Sequence, residues 1–411
     1  MTDSPRLDQL TALRFFAAFM IVIHHCVGLF GIRNIGVNFG QGVSFFFVLS
    51  GFILAYVYPS LDTTREIRRF WRARIARIWP AYLACFAIGL YVVPYTWDTK
   101  TGMASLFMLQ GWIPLSSYYF SYNPVAWSVS TEAFFYLAFP LLLYRWNRHW
   151  SLIFLFFCGA LAAWLLVVDA LHLPEIGNPW RPADKHLLSQ VTQHGLVYIS
   201  PVSRIFEFIL GMVVATLFRM TSWSVAPFFA TILEIGAVVV CALAMYYGYH
   251  IVEFVTASSL SGAGALWVTH SGAAFAFGLL IYVMARGLGM LSRVLSNPFP
   301  VLLGEISFSL YLIHPIVLAL HRRNLPYLAW LPASVSFIIV VTIMLLSSYL
   351  LWAWIEMPGR RILLGGAAIH GTAITAARRR DYADGKKPLL AGLALASLIG
   401  LMYCCRAYPY A

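Results

Sequence analysis

Long apolar segments separated by short polar ones make up most of the chain. A membrane-spanning helix needs about 20 mostly apolar residues to cross the hydrocarbon core, and such segments recur from the N-terminus onward. Ten stretches fit this pattern well, and an eleventh, at 388–405, fits it less well. The ten are 15–31, 40–58, 78–95, 132–144, 150–168, 203–218, 227–247, 264–284, 299–320 and 331–354. The pattern predicts an all-α polytopic membrane bundle of about ten to eleven transmembrane helices.

Composition excludes a large water-soluble domain. Of 411 residues, 61% are hydrophobic and 11% are charged, whereas soluble domains carry about 25% charged residues. The longest polar stretches, 96–126 and 169–202, are short and interrupted by aromatic residues. We therefore expect one membrane domain over 1–360, a basic cytoplasmic linker over 361–387, and a possible extra transmembrane helix and tail over 388–411.

The net charge of +12 follows the predicted membrane topology. When loops are counted alternately from a cytoplasmic N-terminus, most basic residues fall in cytoplasmic loops, as the positive-inside rule requires. This distribution argues against a nucleic-acid partner. No small-residue cleavage site follows the first apolar run, so that span is expected to remain as an anchor. The six cysteines lack the spacing of metal ligands, and no metal site is expected.

Ionisable residues in the first span are costly in lipid and are expected to face a cavity or a partner. Arg14 and His25 are eleven residues apart, which leaves them about 20° from the same helix face and roughly 16 Å apart along the axis. His24 is rotated by about 100° from His25. We therefore expect Arg14 and His25 to line one channel, although His25 is also explained by a hydrogen bond to a neighbouring helix.

A strongly basic helical face precedes the third span. Its members are Arg65, Arg68, Arg69 and Arg72, with Arg74 and Arg77 following before Trp79 and Pro80 open the span. One interpretation is an orientation signal that also contacts anionic lipid headgroups. The other is a cytoplasmic docking site for phosphates, because guanidinium groups bind phosphate through two hydrogen bonds.

Two further segments place polar residues on one helix face. Ser128, Glu132 and Tyr136 recur at intervals of four. Glu132 is suited to orient an imidazole or bind an acceptor hydroxyl, or to pair with a buried arginine.

Ser307, Tyr311 and His314 repeat the pattern before Pro315, which frees a backbone carbonyl and indicates a nearby cavity. Arg204 and Glu207 are expected to form a mutual ion pair.

The order of these motifs resembles that of the acyltransferase type 3 family, bacterial membrane proteins that O-acylate glycans, lipid-linked sugars and some antibiotics. Arg14, ten residues and His25 are similar to the family's arginine–ten–histidine signature, which selects His25 over His24. Segment 42–52 resembles the second motif, although many members have Asp where this chain has Ser44. Segments 72–82, 127–136 and 307–314 resemble later motifs.

The resemblance implies an O-acyltransferase of the bacterial cytoplasmic (inner) membrane, with the N-terminus in the cytoplasm. The donor would be acyl-CoA, with acetyl-CoA as the expected co-substrate, and no cofactor would be permanently bound. The acceptor would be an exported or lipid-linked glycan. The implied roles are catalysis by His25, Arg14 and Glu132, donor binding by Arg72, Arg74 and Arg77, and substrate binding or support by Ser128, Ser130, Tyr136, Ser307, Tyr311 and His314.

Three alternatives remain open at the level of sequence. A transporter for an anionic or lipid-linked saccharide would also need arginines and membrane-depth ionisable residues. An acyltransferase of the same family would use the same site on a macrolide-like small molecule. A sensor or assembly subunit of a polysaccharide machine would need none of these polar residues.

Overall fold

A computed structural model describes residues 6–32, 36–92, 98–175, 186–256, 262–328 and 330–365. Within those residues, nine helices are long and apolar enough to cross a membrane, and Trp127–Leu143 is a shorter apolar helix. The predicted all-α membrane bundle is therefore confirmed. The possible span at 388–405 and nearly all of the basic linker at 361–387 lie outside the described residues.

The described residues form fifteen α-helices. In chain order they are α1 Asp8–Cys26, α2 Gly42–Val57, α3 Thr64–Val92, α4 Thr99–Leu106, α5 Ser116–Tyr119, α6 Trp127–Leu143, α7 Trp146–Ala170, α8 Pro201–Met220, α9 Pro227–Thr256, α10 Gly262–Ser271, α11 Ala274–Ala285, α12 Met290–Leu295, α13 Pro298–Leu328, α14 Ala333–Leu351 and α15 Met357–Leu363. Two π-helical turns, Gly195–Ile199 and Trp352–Glu356, precede α8 and follow α14.

The basic segment and the third span form one helix, which differs from the sequence prediction. The prediction starts the span at Trp79 and Pro80, but α3 begins at Thr64 and passes through Pro80 without ending. Pro80 packs against the position of Gly359 in α15, where a side chain would collide with the proline ring. The arginines are therefore rigidly continuous with a membrane helix.

The predicted span 264–284 is broken into α10 and α11 at Gly272. Two polar side chains next to the break satisfy backbone groups there. Gln41 Oε1 accepts a hydrogen bond from the Ala273 amide at 2.8 Å, and Ser44 Oγ donates to the His270 carbonyl at 2.9 Å. A helix can break at membrane depth only where other protein groups replace the lost backbone hydrogen bonds.

Glycines bring the central helices into backbone contact. A Cβ at Gly51 of α2 would collide with the Phe208 carbonyl of α8, and one at Gly211 of α8 would collide with the Val48 carbonyl of α2. Small residues allow such close approach between membrane helices. Gly304 likewise packs against the Thr11 carbonyl, which sets the position of α13 along α1.

The predicted pair Arg204 and Glu207 is confirmed and lies wholly inside the bundle. Arg204 Nε and Glu207 Oε2 are 3.2 Å apart, and both side chains have 0% exposure. Arg204 also donates to Ser271 and, at 3.2 Å, to Ser44. Since a buried guanidinium needs several partners to offset its lost hydration, Arg204 ties α8 to α2 and α10.

Candidate functional site

A cavity of about 130 Å³ lies between α1, α2, α3, α6 and α13, towards the side of the bundle where α1 begins. Apolar residues of α2 form much of its wall, among them Phe46, Phe47 and Leu49. Its polar lining, which we call the arginine cavity, consists of Arg14, Ser50, Arg74, Arg77, Ser128, Glu132, Tyr136 and Tyr311, with Thr11. Seven of the residues predicted from sequence are thus brought together in one place.

Three guanidinium groups converge on the cavity without a carboxylate in contact. Arg14 comes from α1, whereas Arg74 and Arg77 come from α3. None of the three forms an ion pair within 4.0 Å with a carboxylate that the structure describes. The Arg74 guanidinium instead lies 5.8 Å from the ring centroid of Tyr136. The cavity therefore keeps an excess of positive charge that an anionic ligand would neutralise.

Glu132 is held by its neighbour on α6. Tyr136 donates its hydroxyl hydrogen to Glu132 Oε1, as their spacing of four residues on a helix allows. Trp71 Nε1 donates to the Tyr136 carbonyl at 3.0 Å, which fixes α6 against α3. Glu132 lies within electrostatic range of Arg14 but not in direct contact with it. Its carboxylate is therefore positioned rather than neutralised by a cation.

Ser128 and Tyr311 line the cavity and contact each other. Their hydroxyl oxygens are 2.7 Å apart, and the Tyr311 hydroxyl also lies 3.0 Å from the Val125 carbonyl. Asn123 Nδ2 donates to the Leu312 carbonyl at 2.9 Å and holds the same two segments together. His25 is not among the residues that line the cavity.

His25 instead forms a pair with His314 near the far end of α1. Nδ1 of His25 and Nε2 of His314 are 3.0 Å apart, and the two rings are stacked with centroids 5.1 Å apart. His314 is fully buried, whereas His25 is accessible. We call these two residues the histidine pair. The Tyr311 ring lies 5.9 Å from that of His314, so Tyr311 lines the cavity and also contacts the histidine pair.

The register of α1 and α13 explains this pairing. The two helices run in the same direction, with Gly304 against Thr11 near their beginnings and His321 stacked on Phe30 beyond the end of α1. His314 is ten residues beyond Gly304 and His25 is fourteen residues beyond Thr11. These separations correspond to about 15 Å along α13 and about 21 Å along α1, so both histidines lie well beyond the glycine contact and their side chains meet there.

Three of the predicted site residues lie elsewhere. Arg72 is exposed, and its Nε donates to the Leu363 carbonyl at 2.7 Å. Ser130 donates to the Met108 carbonyl at 2.5 Å, and Ser307 donates to the Gly304 carbonyl at 2.7 Å. The first two contacts join separate segments of the chain, whereas the Ser307 contact lies within α13. The structure does not bring Arg72, Ser130 or Ser307 into the cavity or to the histidine pair.

Sequence reasoning did not assign a role to Glu356, which the structure brings near the cavity. Ser309 Oγ donates to Glu356 Oε2 at 2.7 Å, and the carboxylate lies within electrostatic range of Arg14 and Arg77. The π-helical turn Trp352–Glu356 places it there. The Glu356-x-Pro358-x-Arg360 spacing was the available signal.

Fold and site together define a polytopic membrane protein whose bundle encloses a cationic, partly apolar cavity with a histidine pair beyond it. The chain belongs to the acyltransferase type 3 family, because the Acyl_transf_3 family model for the acyltransferase domain matches residues 7–353. It is a membrane acyltransferase.

Two relatives support the same assignment. Acyltransferase MdmB from Streptomyces mycarofaciens is 30% identical over 390 residues, covering 87% of this chain and 92% of the relative. O-acetyltransferase OatA from Staphylococcus aureus is 25% identical over 383 residues, covering 87% of this chain and 58% of the relative. The chain thus spans less than two thirds of OatA. No solved structure matches the chain.

Proposed function

We propose that the protein transfers an acetyl group from cytoplasmic acetyl-CoA to a hydroxyl group of an exported or lipid-linked glycan. The observation that carries this proposal is the convergence of Arg14, Arg74 and Arg77 on one cavity without a carboxylate in contact. Acyl-CoA carries several phosphate charges and an apolar acyl arm, so a cationic entrance with apolar walls suits it.

The donor would enter from the side where α1 begins, which we propose is cytoplasmic. Support for this orientation comes from the basic first half of α3 and from Arg360 and Arg361 in α15, because α15 packs against α3 on that side. A concentration of Arg and Lys on one side of the membrane is typical of the cytoplasmic face. The phosphates would bind Arg74 and Arg77, and the thioester would point towards Ser128 and Tyr311.

The chemistry would take place at His25. A neutral imidazole takes the proton from an acceptor hydroxyl, and the oxygen attacks the thioester carbonyl. The carbon–sulfur bond then breaks, CoA leaves as a thiolate, and the proton held by His25 passes to that thiolate. An alternative route places the acyl group on His25 first and then on the acceptor. In both routes, Glu132 would orient the reactants from within the cavity.

Either route requires a change in the cavity lining. Ser128 and Tyr311 are hydrogen-bonded to each other, and Tyr311 also contacts the histidine pair, so we expect the thioester to reach His25 only when the contact between Ser128 and Tyr311 opens. Movements that complete an active site after substrate binding are common in enzymes. We propose that acceptor binding opens this contact.

The glycan is the acceptor that we propose, and the comparisons support the acyl transfer rather than the choice of acceptor. OatA is named an O-acetyltransferase, which supports acetyl transfer to oxygen. A macrolide-like small molecule is the second candidate acceptor, because it offers the same hydroxyl chemistry. A saccharide transporter and a sensor or assembly subunit lose support, because both relatives bear acyltransferase names.

The decisive experiment measures acceptor and acyl group together. Mass spectrometry of surface glycans from otherwise identical strains with and without the protein should show acetyl esters only in its presence. Purified protein in liposomes should also transfer labelled acetyl groups from acetyl-CoA to the extracted glycan. Identical glycan acetylation in both strains, with no transfer by the purified protein, would contradict the proposed function.

A further inference from the structure

A chain of hydrogen bonds runs from the backbone just before Pro315 through His314 to His25. Pro315 has no backbone N–H, so the carbonyl four residues earlier, at Tyr311, lacks its helical donor. The side chain of His314 lies next to these backbone carbonyls. Its Nδ1 lies 3.3 Å from the Leu310 carbonyl, and the Tyr311 carbonyl is also within its reach.

Those carbonyls determine where His314 carries its hydrogen. A carbonyl oxygen only accepts hydrogen bonds, so the nitrogen that faces Leu310 must be the protonated one. A second N–H would make His314 a cation. It has 0% exposure, and no carboxylate that the structure describes lies within 4.0 Å of it. The charged group within electrostatic range of its partner His25 is a further cation, Arg322. A buried cation without a counterion is strongly disfavoured. Nε2 of His314 therefore carries a lone pair.

The lone pair of His314 faces His25 and assigns its tautomer in turn. Nε2 of His314 is 3.0 Å from Nδ1 of His25, a distance at which one of the two atoms must donate. Since His314 can only accept there, His25 must carry its hydrogen on Nδ1. The remaining nitrogen of His25, Nε2, then has the lone pair and belongs to an accessible side chain.

We propose that His314 is a positioning residue that holds His25 in the Nδ1–H tautomer, so that Nε2 of His25 is the basic or nucleophilic atom. The role in turnover rests on the proposed function, whereas the tautomer is a property of the resting protein. A second imidazole thus replaces the carboxylate that orients histidine in many hydrolases. The Ile21 carbonyl, one turn earlier on α1, is also within hydrogen-bond reach of His25. Removing the acceptor at position 314 would therefore weaken the preference for the Nδ1–H tautomer and raise the share of the Nε2–H tautomer, which has no lone pair at Nε2.

Two substitutions at His314 separate positioning from packing. Glutamine can present an amide oxygen where Nε2 of histidine lies, so His314→Gln keeps an acceptor for His25, whereas His314→Ala removes it. We expect His314→Ala to lower kcat by about 10²-fold or more, within the range of general-base catalysis, with little change in the KM for acetyl-CoA. His314→Gln should recover a large part of that loss. His24→Ala is the matched control and should leave kcat nearly unchanged.

Nitrogen NMR measures the tautomer without any turnover. The protein, with its 11 histidines labelled with nitrogen-15, is placed in lipid nanodiscs, and the His25 signals are assigned by their loss in His25→Ala. We expect a protonated Nδ1 and an unprotonated Nε2 for His25 in the wild type and in His314→Gln, and a mixture of tautomers in His314→Ala.

The two proposals fail in different ways. An Nε2–H tautomer of His25 in the wild type would overturn the positioning role, whatever the activity. Equal loss of kcat in His314→Gln and His314→Ala, with both variants folded, would also overturn it. If the tautomer is as expected but the protein transfers no acyl group, the proposed function fails and the assignment of the tautomer stands. A His314→Ala variant that does not fold leaves the wild-type spectrum and His314→Gln to decide.

Discussion

The arginine cavity and the histidine pair differ in their charge, although both lie within one bundle. In the cavity, Arg14, Arg74 and Arg77 are gathered from two helices without a carboxylate in contact. In the histidine pair, the two imidazole rings are hydrogen-bonded to each other. A cationic region can bind phosphates, but an imidazole close to it would be less able to accept a proton. Because the two regions are separated along α1, the arginines can supply positive charge for phosphate binding while the imidazoles stay neutral and able to accept a proton.

The largest expected effect comes from removing the base at the histidine pair. His25→Ala should lower kcat by about 10²- to 10⁴-fold, the usual contribution of a general base, while acetyl-CoA binding stays close to that of the wild type. Acetyl-CoA binding is measured by titration calorimetry and transfer by labelled acetyl groups on the glycan.

The matched control for this prediction is the neighbouring imidazole. His24→Ala should retain most of the activity, because His24 packs beside Gly40 rather than against His314. If His24→Ala abolishes transfer and His25→Ala does not, the assignment of the base to the histidine pair is wrong.

Substitutions in the arginine cavity should change the KM for acetyl-CoA more than they change kcat. Arg77→Ala removes a charged donor worth about 1.5–3 kcal/mol, so the KM for acetyl-CoA should rise about 10- to 100-fold with a smaller change in kcat. Steady-state kinetics at several salt concentrations would check this, because salt weakens the remaining charge interactions.

Arg72→Ala provides the comparison for Arg77→Ala on the same helix. Arg72 is exposed and donates to the Leu363 carbonyl, so we expect a much smaller rise in KM. Equal rises for Arg72→Ala and Arg77→Ala would mean that the arginines act as a diffuse basic surface. The cavity would then not be the donor site.

The membrane helices could be predicted from the sequence because the lipid environment restricts which backbone structures can form. A chain in hydrocarbon must satisfy its own backbone, so long apolar stretches become helices, and the periodicity of 3.6 residues places side chains on common faces. Ser128, Glu132 and Tyr136 were grouped by that periodicity, and all three line the cavity. Hydropathy does not specify breaks such as Gly272, since the compensating groups are distant in sequence, at Gln41 just before α2 and at Ser44 within it.

Periodicity could not decide which residues of a face reach the site. Ser307 and Tyr311 share a face of α13, yet Tyr311 lines the cavity and Ser307 bonds to its own helix. The contact between His25 and His314 joins residues 289 positions apart, and it depends on the register that Gly304 sets against α1. Such a register is a property of the packed bundle, so neither helix alone contains it.

The boundary between the two regions should show an intermediate effect. Tyr311→Phe removes the hydroxyl that bonds to Ser128, and one neutral hydrogen bond is worth about 1 kcal/mol. If that contact keeps the thioester away from water until the acceptor arrives, its loss should raise acetyl-CoA hydrolysis without acceptor by about 2- to 10-fold. The ratio of hydrolysis to transfer checks this expectation.

Tyr136→Phe tests whether the effect belongs to the boundary. Tyr136 also lines the cavity, but its hydroxyl bonds to Glu132 rather than to Ser128. We expect no comparable rise in hydrolysis for this variant. Increased hydrolysis in Tyr136→Phe alone would place the barrier at Glu132 instead.

The smallest expected effect comes from Ser307, which lies on the same helix face as both regions but belongs to neither. Its hydroxyl donates to the Gly304 carbonyl one turn earlier, an oxygen that the helix backbone also uses. Ser307→Ala should therefore cost about 0.5 kcal/mol of stability and change kcat and KM by less than about twofold. Thermal unfolding in detergent and steady-state kinetics measure the two quantities. A loss of activity comparable to that of His25→Ala, in a variant with normal stability, would mean that the reactive region extends along α13 towards the start of that helix. The separation between cavity and histidine pair would then no longer hold.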